Sequence, residues 1–124
     1  MRGAAESSSR ALNLYCAAVI RSTDQSVTVS THLLDLSAGG PAAGVAAELL
    51  DRTGRRVASG ATDADGRLRF AGEFEPGAYT LRLELAPVSH LYRAVSLEVR
   101  LDEARHYHLP VLLSPFGLTT YRGS

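Results

Sequence analysis

The residues best equipped for chemistry lie in three separate segments of the 124-residue sequence. They are His32, Arg67, and the pair His106 and His108. Histidine moves protons readily near neutral pH, and an arginine fork can hold a planar, oxygen-rich anion at two points. Each of these residues alone is more often a solvated surface side chain. Their value as a site therefore depends on whether the fold brings them together.

A further chemical feature is the last segment of the sequence, Tyr121-Arg122-Gly123-Ser124, which carries a phenol, a guanidinium, a glycine and a hydroxyl. Chain ends are usually frayed and tolerant of change. Residues 105–113 precede this segment as a partly apolar run, and residues 114–117 contain the turn formers proline and glycine. This order predicts a strand, a turn and a functional tail.

The segments that contain most of these residues alternate apolar and polar side chains, as half-buried strands do. Four segments alternate apolar and polar side chains, namely residues 27–34, 79–85, 95–101 and 105–113. Turn-forming pairs such as Asp65-Gly66 and Pro76-Gly77 fall between them. The sequence has no long helical pattern. It therefore predicts an all-β sandwich of two antiparallel sheets, with at most one short helix or helical turn.

The alternation also predicts which way the histidines face. In residues 105–113 the odd-numbered positions from 107 onward are apolar, so His106 and His108 share the opposite face. In residues 27–34, His32 likewise lies opposite Val29 and Leu33. If the apolar rows face the core, all three histidines point outward, to water or to another subunit.

Composition limits the classes of partner. The 13 basic and 13 acidic residues balance, so nothing suggests a surface for nucleic acid or an acidic membrane. No apolar stretch approaches the roughly 20 residues of a membrane span. Residues 1–26 are expected to form a disordered or weakly ordered extension, and residues 27–124 one domain. The single cysteine, Cys16, cannot form an intrachain disulfide, which fits a cytoplasmic location better than export through the N-terminal segment.

Two other uses of the same residues stay open at this point. The three histidines would supply nitrogen ligands to a catalytic zinc ion, although the pattern does not place His32 beside His106 and His108. Ser124 would be a covalent nucleophile, although no Gly-x-Ser-x-Gly elbow surrounds it.

The segments, taken in order, resemble 5-hydroxyisourate hydrolases, the enzymatic branch of the transthyretin family. The resemblance spans residues 30–124 and lies in Ser30-Thr31-His32-Leu33-Leu34-Asp35, Asp65-Gly66-Arg67, His106-Tyr107-His108-Leu109-Pro110 and Thr120-Tyr121-Arg122-Gly123-Ser124. Transthyretin itself, the hormone carrier, shares the fold but lacks this histidine pattern and the final four residues. Residues 86–93 are fewer and less aromatic than is usual in the family, which bears on stability and assembly more than on catalysis.

The resemblance implies a transthyretin-like fold and hydrolysis of the lactam C–N bond of 5-hydroxyisourate. The product would be 2-oxo-4-hydroxy-4-carboxy-5-ureidoimidazoline, in the degradation of urate. It also implies that His32, Arg67, His108 and Ser124 line the active site, with no metal and no cofactor. The assembly implied is a homotetramer, with its sites in a channel between dimers.

The remaining roles are implied less firmly by the same resemblance. His106 would orient or support the site, and Tyr121 and Arg122 would close it. Either His108 or His32 would act as the general base. The alternatives to the enzyme are a noncatalytic transthyretin-like module that binds a small planar ligand, and a structural sandwich domain of a surface protein.

Overall fold

The structure, a computed structural model, describes residues 26–124, which form nine strands. The expected N-terminal extension, including Cys16, falls on residues 1–25 and lies outside the described residues. The strands are β1 (Thr28–Asp35), β2 (Gly40–Pro41), β3 (Ala46–Asp51), β4 (Arg56–Ala61), β5 (Arg67–Arg69), β6 (Gly77–Glu84), β7 (Ala94–Leu101), β8 (His106–Leu113) and β9 (Leu118–Thr120).

The strands form two sheets that enclose one core. The first sheet has the order β2-β1-β8-β9, with β5 paired to β1 as well, and the second has the order β4-β3-β6-β7. The predicted two-sheet, all-β sandwich is confirmed. Residues 26–124 contain no helix, so the optional helical turn is absent there. None of the described residues forms a helix long and apolar enough to cross a membrane.

One strand pair differs from the prediction of purely antiparallel sheets. β1 and β8 run parallel, in register from Thr28 opposite His106 to Asp35 opposite Leu113. Parallel neighbours need a long crossover connection, and here six strands lie between them in the sequence. The first sheet is therefore mixed. Pairing between segments so far apart cannot be read from local alternation.

Alternate residues of the strands fill the core, as the sequence predicts. In β1, Val29, Thr31 and Leu33 are fully buried. The inward positions of the other central strands include Leu49, Tyr79, Leu81, Leu83, Tyr107, Leu109, Val111 and Leu113. Each large apolar side chain contributes about 1.5–3 kcal/mol on burial. The hydroxyl of Thr31 donates to the Leu109 carbonyl at 2.8 Å, which ties β1 to β8 from the core side.

Candidate active site

The register of the first sheet gathers the predicted residues on its outer face. His32 lies opposite Arg67 across β1 and β5, and opposite Pro110 across β1 and β8. His108 lies opposite Ser30 in the same β1–β8 pair. The outward direction that the alternation predicts for the histidines follows from this register, since Val29, Leu109 and their neighbours of the same parity are buried.

The two histidines of β8 are joined by hydroxyl groups of β1. The Thr28 hydroxyl lies 2.7 Å from Nδ1 of His106. The Ser30 hydroxyl lies 2.8 Å from Nε2 of His106 and 2.7 Å from Nδ1 of His108. Sequence reasoning missed Ser30 and Thr28. The sequence did contain an indication of them. Thr28, Ser30 and His32 lie two residues apart in one strand, so their side chains share one face.

His32 is held by the turn that precedes β5. Its Nε2 lies 2.9 Å from the carbonyl oxygen of Asp65. A carbonyl only accepts, so Nε2 donates and Nδ1 carries the lone pair of the neutral ring. Gly66 fastens the turn to β1, because its carbonyl accepts from the Leu33 amide at 2.7 Å. With φ at +75°, a Cβ at Gly66 would lie only 2.4 Å from the Leu33 carbonyl oxygen, so the position favours glycine.

Asp63 organises the same turn and so fixes where β5 begins. Its carboxylate accepts from the amides of Asp65 at 2.8 Å and Arg67 at 3.0 Å. These hydrogen bonds, with that from Arg67 the largest cause, lower the pKa of the Asp63 carboxyl. The predicted position of Arg67 at the start of a strand, after the Asp65-Gly66 turn, is confirmed.

A second arginine lies beside the histidines. Arg69 pairs with Ser30, as Arg67 pairs with His32, so both guanidinium stems leave the same face of β5. Both residues are exposed. Sequence reasoning did not single out Arg69, although its two-residue spacing from Arg67 in a strand was the signal for a shared face.

The electrostatic surroundings favour neutral imidazoles. Burial is the main cause that lowers the pKa of His108, and the nearby charges of His32 and Arg67 lower it further. Burial also lowers the pKa of His106, followed by the charges of Arg69, His108 and Arg105. A neutral ring is the form that accepts a proton, so both rings are suited to that role at neutral pH.

The final residues run back along β8 and reach the same site. β9 pairs with β8 through Val111 opposite Thr120, and the pairing resumes at Gly123 opposite His108. The Gly123 amide donates to the His108 carbonyl at 2.7 Å. In this register Tyr121 falls on the histidine face of the sheet.

Arg122 and Ser124 are placed differently from Tyr121. Arg122 falls on the opposite parity, opposite Leu109 in the extended register. Both Tyr121 and Arg122 line a cavity with Leu97 and Leu109. Ser124 is exposed at the end of the described chain. The structure thus brings His32, Arg67, His106, His108 and the tail backbone together on one face, whereas Arg122 and Ser124 have the opposite parity in the tail.

Gly123 approaches the His108 ring more closely than any other residue type allows. A Cβ at Gly123 would lie 2.8 Å from Cδ2 of His108. We expect Gly123→Ala to push the tail or the ring aside and to lower kcat for the site's reaction about tenfold or more, since small misplacements in a catalytic site are costly. Gly77→Ala is the matched control, because a Cβ there meets nothing within 4 Å. Equal kcat in the two variants, with both shown to be folded by circular dichroism, would contradict the close contact between Gly123 and the His108 ring.

The described residues offer no set of ligands for a zinc ion. Within residues 26–124, no three His, Cys, Asp or Glu side chains are arranged to hold a metal ion. Both ring nitrogens of His106 already face hydroxyl groups, those of Thr28 and Ser30.

The fold and site define a transthyretin-like sandwich that carries a histidine–arginine site on the outer face of one sheet. A family model described as "HIUase/Transthyretin family" matches residues 29–123, and the chain belongs to that family. A probable 5-hydroxyisourate hydrolase of Schizosaccharomyces pombe is 34% identical over 116 residues, which cover 81% of this chain and 94% of that protein. The 5-hydroxyisourate hydrolase of Caulobacter vibrioides is 41% identical over 115 residues, covering 77% and 97%.

Solved structures show the same relationship. The 5-hydroxyisourate hydrolase of Klebsiella pneumoniae superposes with a TM-score of 0.70 at 36% identity, over 78% of this chain and 99% of that chain. Sea bream transthyretin in complex with thyroxine superposes with a TM-score of 0.68 at 26% identity, over 77% and 93%. The family therefore includes both hydrolases and a hormone-binding protein.

Proposed function

We propose that this protein hydrolyses 5-hydroxyisourate to 2-oxo-4-hydroxy-4-carboxy-5-ureidoimidazoline, a step of urate degradation. The observation that carries the proposal is the pair His106 and His108, bridged by the Ser30 hydroxyl, on one sheet face with His32 and Arg67. Relatives named 5-hydroxyisourate hydrolase align over most of the chain, and one of the matching solved structures has that name as well.

In the proposed mechanism, His108 is the general base. Its Nδ1 faces the Ser30 hydroxyl, so Nε2 is the nitrogen left to receive a proton; in residues 26–124, Nε2 has no hydrogen-bond partner. The neutral ring takes a proton from water as the water attacks the ring carbonyl of the lactam. Arg67 binds the enolate-like oxygens of the substrate and offsets the charge that develops on the attacked oxygen.

The other site residues have supporting roles in this proposal. His32, with its lone pair on Nδ1, binds the substrate from the β1 side. Ser124 hydrogen-bonds the substrate or the attacking water, and Tyr121 covers the site from the tail. Arg122 anchors the tail from the opposite side of its backbone. Neither a metal nor a cofactor takes part.

The lowered pKa of His108 gives an expected pH dependence. Protonation of the base removes activity as the pH falls through its pKa, so the acid limb of kcat/KM should have its midpoint below the ordinary histidine value of 6.5. Replacing Arg67 by glutamine removes a positive charge that opposes protonation. The midpoint should then move to higher pH, in addition to any loss of rate.

This pH dependence is measured as kcat/KM of the wild type and Arg67→Gln between about pH 5 and 8. Arg56→Gln, on the exposed strand β4 of the other sheet, serves as the charge-matched control and should leave the midpoint unchanged. A wild-type midpoint at or above 6.5, or an unmoved midpoint in Arg67→Gln, would contradict the assigned base.

The proposed assembly is a homotetramer in which the site face becomes an inner wall. Apolar side chains are exposed at one end of the first sheet, with Phe116 86% and Leu36 57% exposed. Their two turns lie together, because the Leu36 amide donates to the Leu113 carbonyl at 2.8 Å. Light scattering of the purified protein should give four times the 13.2 kDa of one chain. A monomer at micromolar concentration would contradict the assembly.

The compartment proposed for this reaction is the cytoplasm. The chain has a single cysteine, so no intrachain disulfide contributes to its stability, as is usual in reducing compartments. Fractionation of the source cells with an antibody to the protein tests this placement.

A noncatalytic binding module is the second candidate, because sea bream transthyretin in complex with thyroxine shares the fold. Turnover of 5-hydroxyisourate distinguishes the enzyme from the binding module. Urate oxidase generates 5-hydroxyisourate from urate in the cuvette, and the absorbance decay is followed with and without this protein. An enzyme accelerates the decay in proportion to its concentration at substoichiometric amounts. A module that only binds the compound leaves the decay unchanged or slows it.

A further inference from the structure

The hydrogen bonds among Thr28, His106, Ser30 and His108 form an unbroken chain along the outer face of the first sheet. Each donor–acceptor distance is between 2.7 and 2.8 Å, which is short for contacts to ring nitrogens. Every member except the first and last has a partner on both sides. We propose that this chain, the Thr28–His108 relay, passes a proton between His108 and solvent during the hydrolysis. This inference rests on the proposed function.

The chain has two consistent arrangements of its hydrogens. In the first, Nδ1–H of His108 donates to Ser30 and the Ser30 hydroxyl donates to Nε2 of His106. Nδ1–H of His106 then donates to the Thr28 hydroxyl. This arrangement leaves the lone pair of His108 on Nε2, so the ring is a base.

The second arrangement reverses every bond of the relay. The Thr28 hydroxyl donates to Nδ1 of His106, and Nε2–H of His106 donates to the Ser30 oxygen. The Ser30 hydroxyl then donates to Nδ1 of His108, whose Nε2 carries a hydrogen. In this arrangement His108 is an acid, and all the groups are again neutral.

One catalysed proton transfer converts the first arrangement into the second. Nε2 of His108 gains a proton from the attacking water, and its Nδ1 proton moves to the Ser30 oxygen. The original Ser30 proton moves to Nε2 of His106, and the Nδ1 proton of His106 moves to Thr28. The original Thr28 proton leaves to solvent, which half-buried Thr28 can reach. One proton enters and one leaves, so the charge balances.

The surrounding charges oppose storage of a proton on the chain. Arg69 lies on β5 opposite Ser30, and Arg105 directly precedes His106, just before β8 begins. The charge of Arg67 likewise disfavours protonation of His108. An imidazolium at either ring is therefore disfavoured, and a proton passes through the relay instead of remaining on it. In the reverse movement Nε2 of His108 gives its proton to the leaving nitrogen of the opened ring. Thr28 takes up one proton from solvent at the other end, and the first arrangement is restored.

The kinetic test compares Ser30→Ala, His106→Gln and the double variant in the 5-hydroxyisourate assay. Either single change breaks the same chain, so each should lower kcat about tenfold or more, and the double variant should lose no more than the worse single. Ser30→Thr keeps the hydroxyl and should restore most of the rate. Ser59→Ala, an exposed strand serine of the other sheet, is the matched control.

Smaller losses in the single variants, or a double variant whose loss is the product of the two, would overturn the relay. A wild-type protein that does not accelerate the decay would instead reject the proposed function. The two failures are therefore distinguishable.

A second readout does not depend on turnover. Long-range proton–nitrogen NMR of the full chain reports which nitrogen of each ring carries the hydrogen. Ser30→Ala and His106→Gln should each change the tautomer populations of His108, and Ser30→Thr should leave them as in the wild type. Unchanged His108 tautomers in both chain-breaking variants would overturn the relay.

Discussion

Replacing His108 by alanine is expected to lower kcat for 5-hydroxyisourate by about 10² to 10⁴-fold while the sandwich stays folded. The loss corresponds to removal of a positioned general base. The side chain of His108 points away from the core, since its neighbours Tyr107 and Leu109 provide the buried face of β8. The substitution therefore leaves core packing intact.

His90 provides the matched control for that variant. It is an exposed histidine in the connection between β6 and β7, outside the site, so His90→Ala should keep the wild-type rate. The measurement is steady-state hydrolysis with folding checked by circular dichroism. A His108→Ala protein that is folded and retains more than a tenth of the wild-type kcat would remove His108 from the role of base.

Deleting residues 121–124 is expected to produce a loss of similar size. The deletion removes the Gly123 amide that binds the His108 carbonyl at 2.7 Å and the backbone that covers the His108 ring. It also removes the Ser124 hydroxyl and the phenol of Tyr121. The remaining strand β9 ends at Thr120. Its hydroxyl donates to the Pro110 carbonyl at 2.8 Å, so β9 stays paired with β8 after the deletion.

Stability should change little on this deletion. The removed segment is mostly exposed, and one lost backbone hydrogen bond costs about 0.5–1.5 kcal/mol. Thermal unfolding by circular dichroism measures this change beside the rate. Ser124→Ala separates the hydroxyl from the backbone contribution, and a partial loss is expected there. Full activity in the truncated protein would show that the tail has no part in the site.

The sequence was informative wherever a property depends on neighbouring residues alone. Side chains alternate across a strand, so the outward direction of His32 and His108 follows from the apolar residues between and beside them. The turn Asp65-Gly66 before Arg67 is equally local, because a positive φ at one residue favours glycine. Those parts of the fold and the site were predictable.

Features that depend on pairing between distant segments were not predictable in this way. The parallel register of β1 with β8 decides that Ser30, and not a neighbour of opposite parity, bridges the two histidine rings. The antiparallel pairing of β5 with β1 places Arg69 opposite Ser30. The tail shows no alternation, so only the pairing of Gly123 with His108 reveals the parity of Tyr121 and Arg122.

We propose above all that this protein converts 5-hydroxyisourate by opening its ring. The most direct measurement follows carbon-13-labelled urate by NMR after addition of urate oxidase, with wild-type protein, with His108→Ala, and with neither. We expect the wild type to replace the 5-hydroxyisourate signals with those of 2-oxo-4-hydroxy-4-carboxy-5-ureidoimidazoline well before the other two samples do. Identical time courses in the three samples would contradict it.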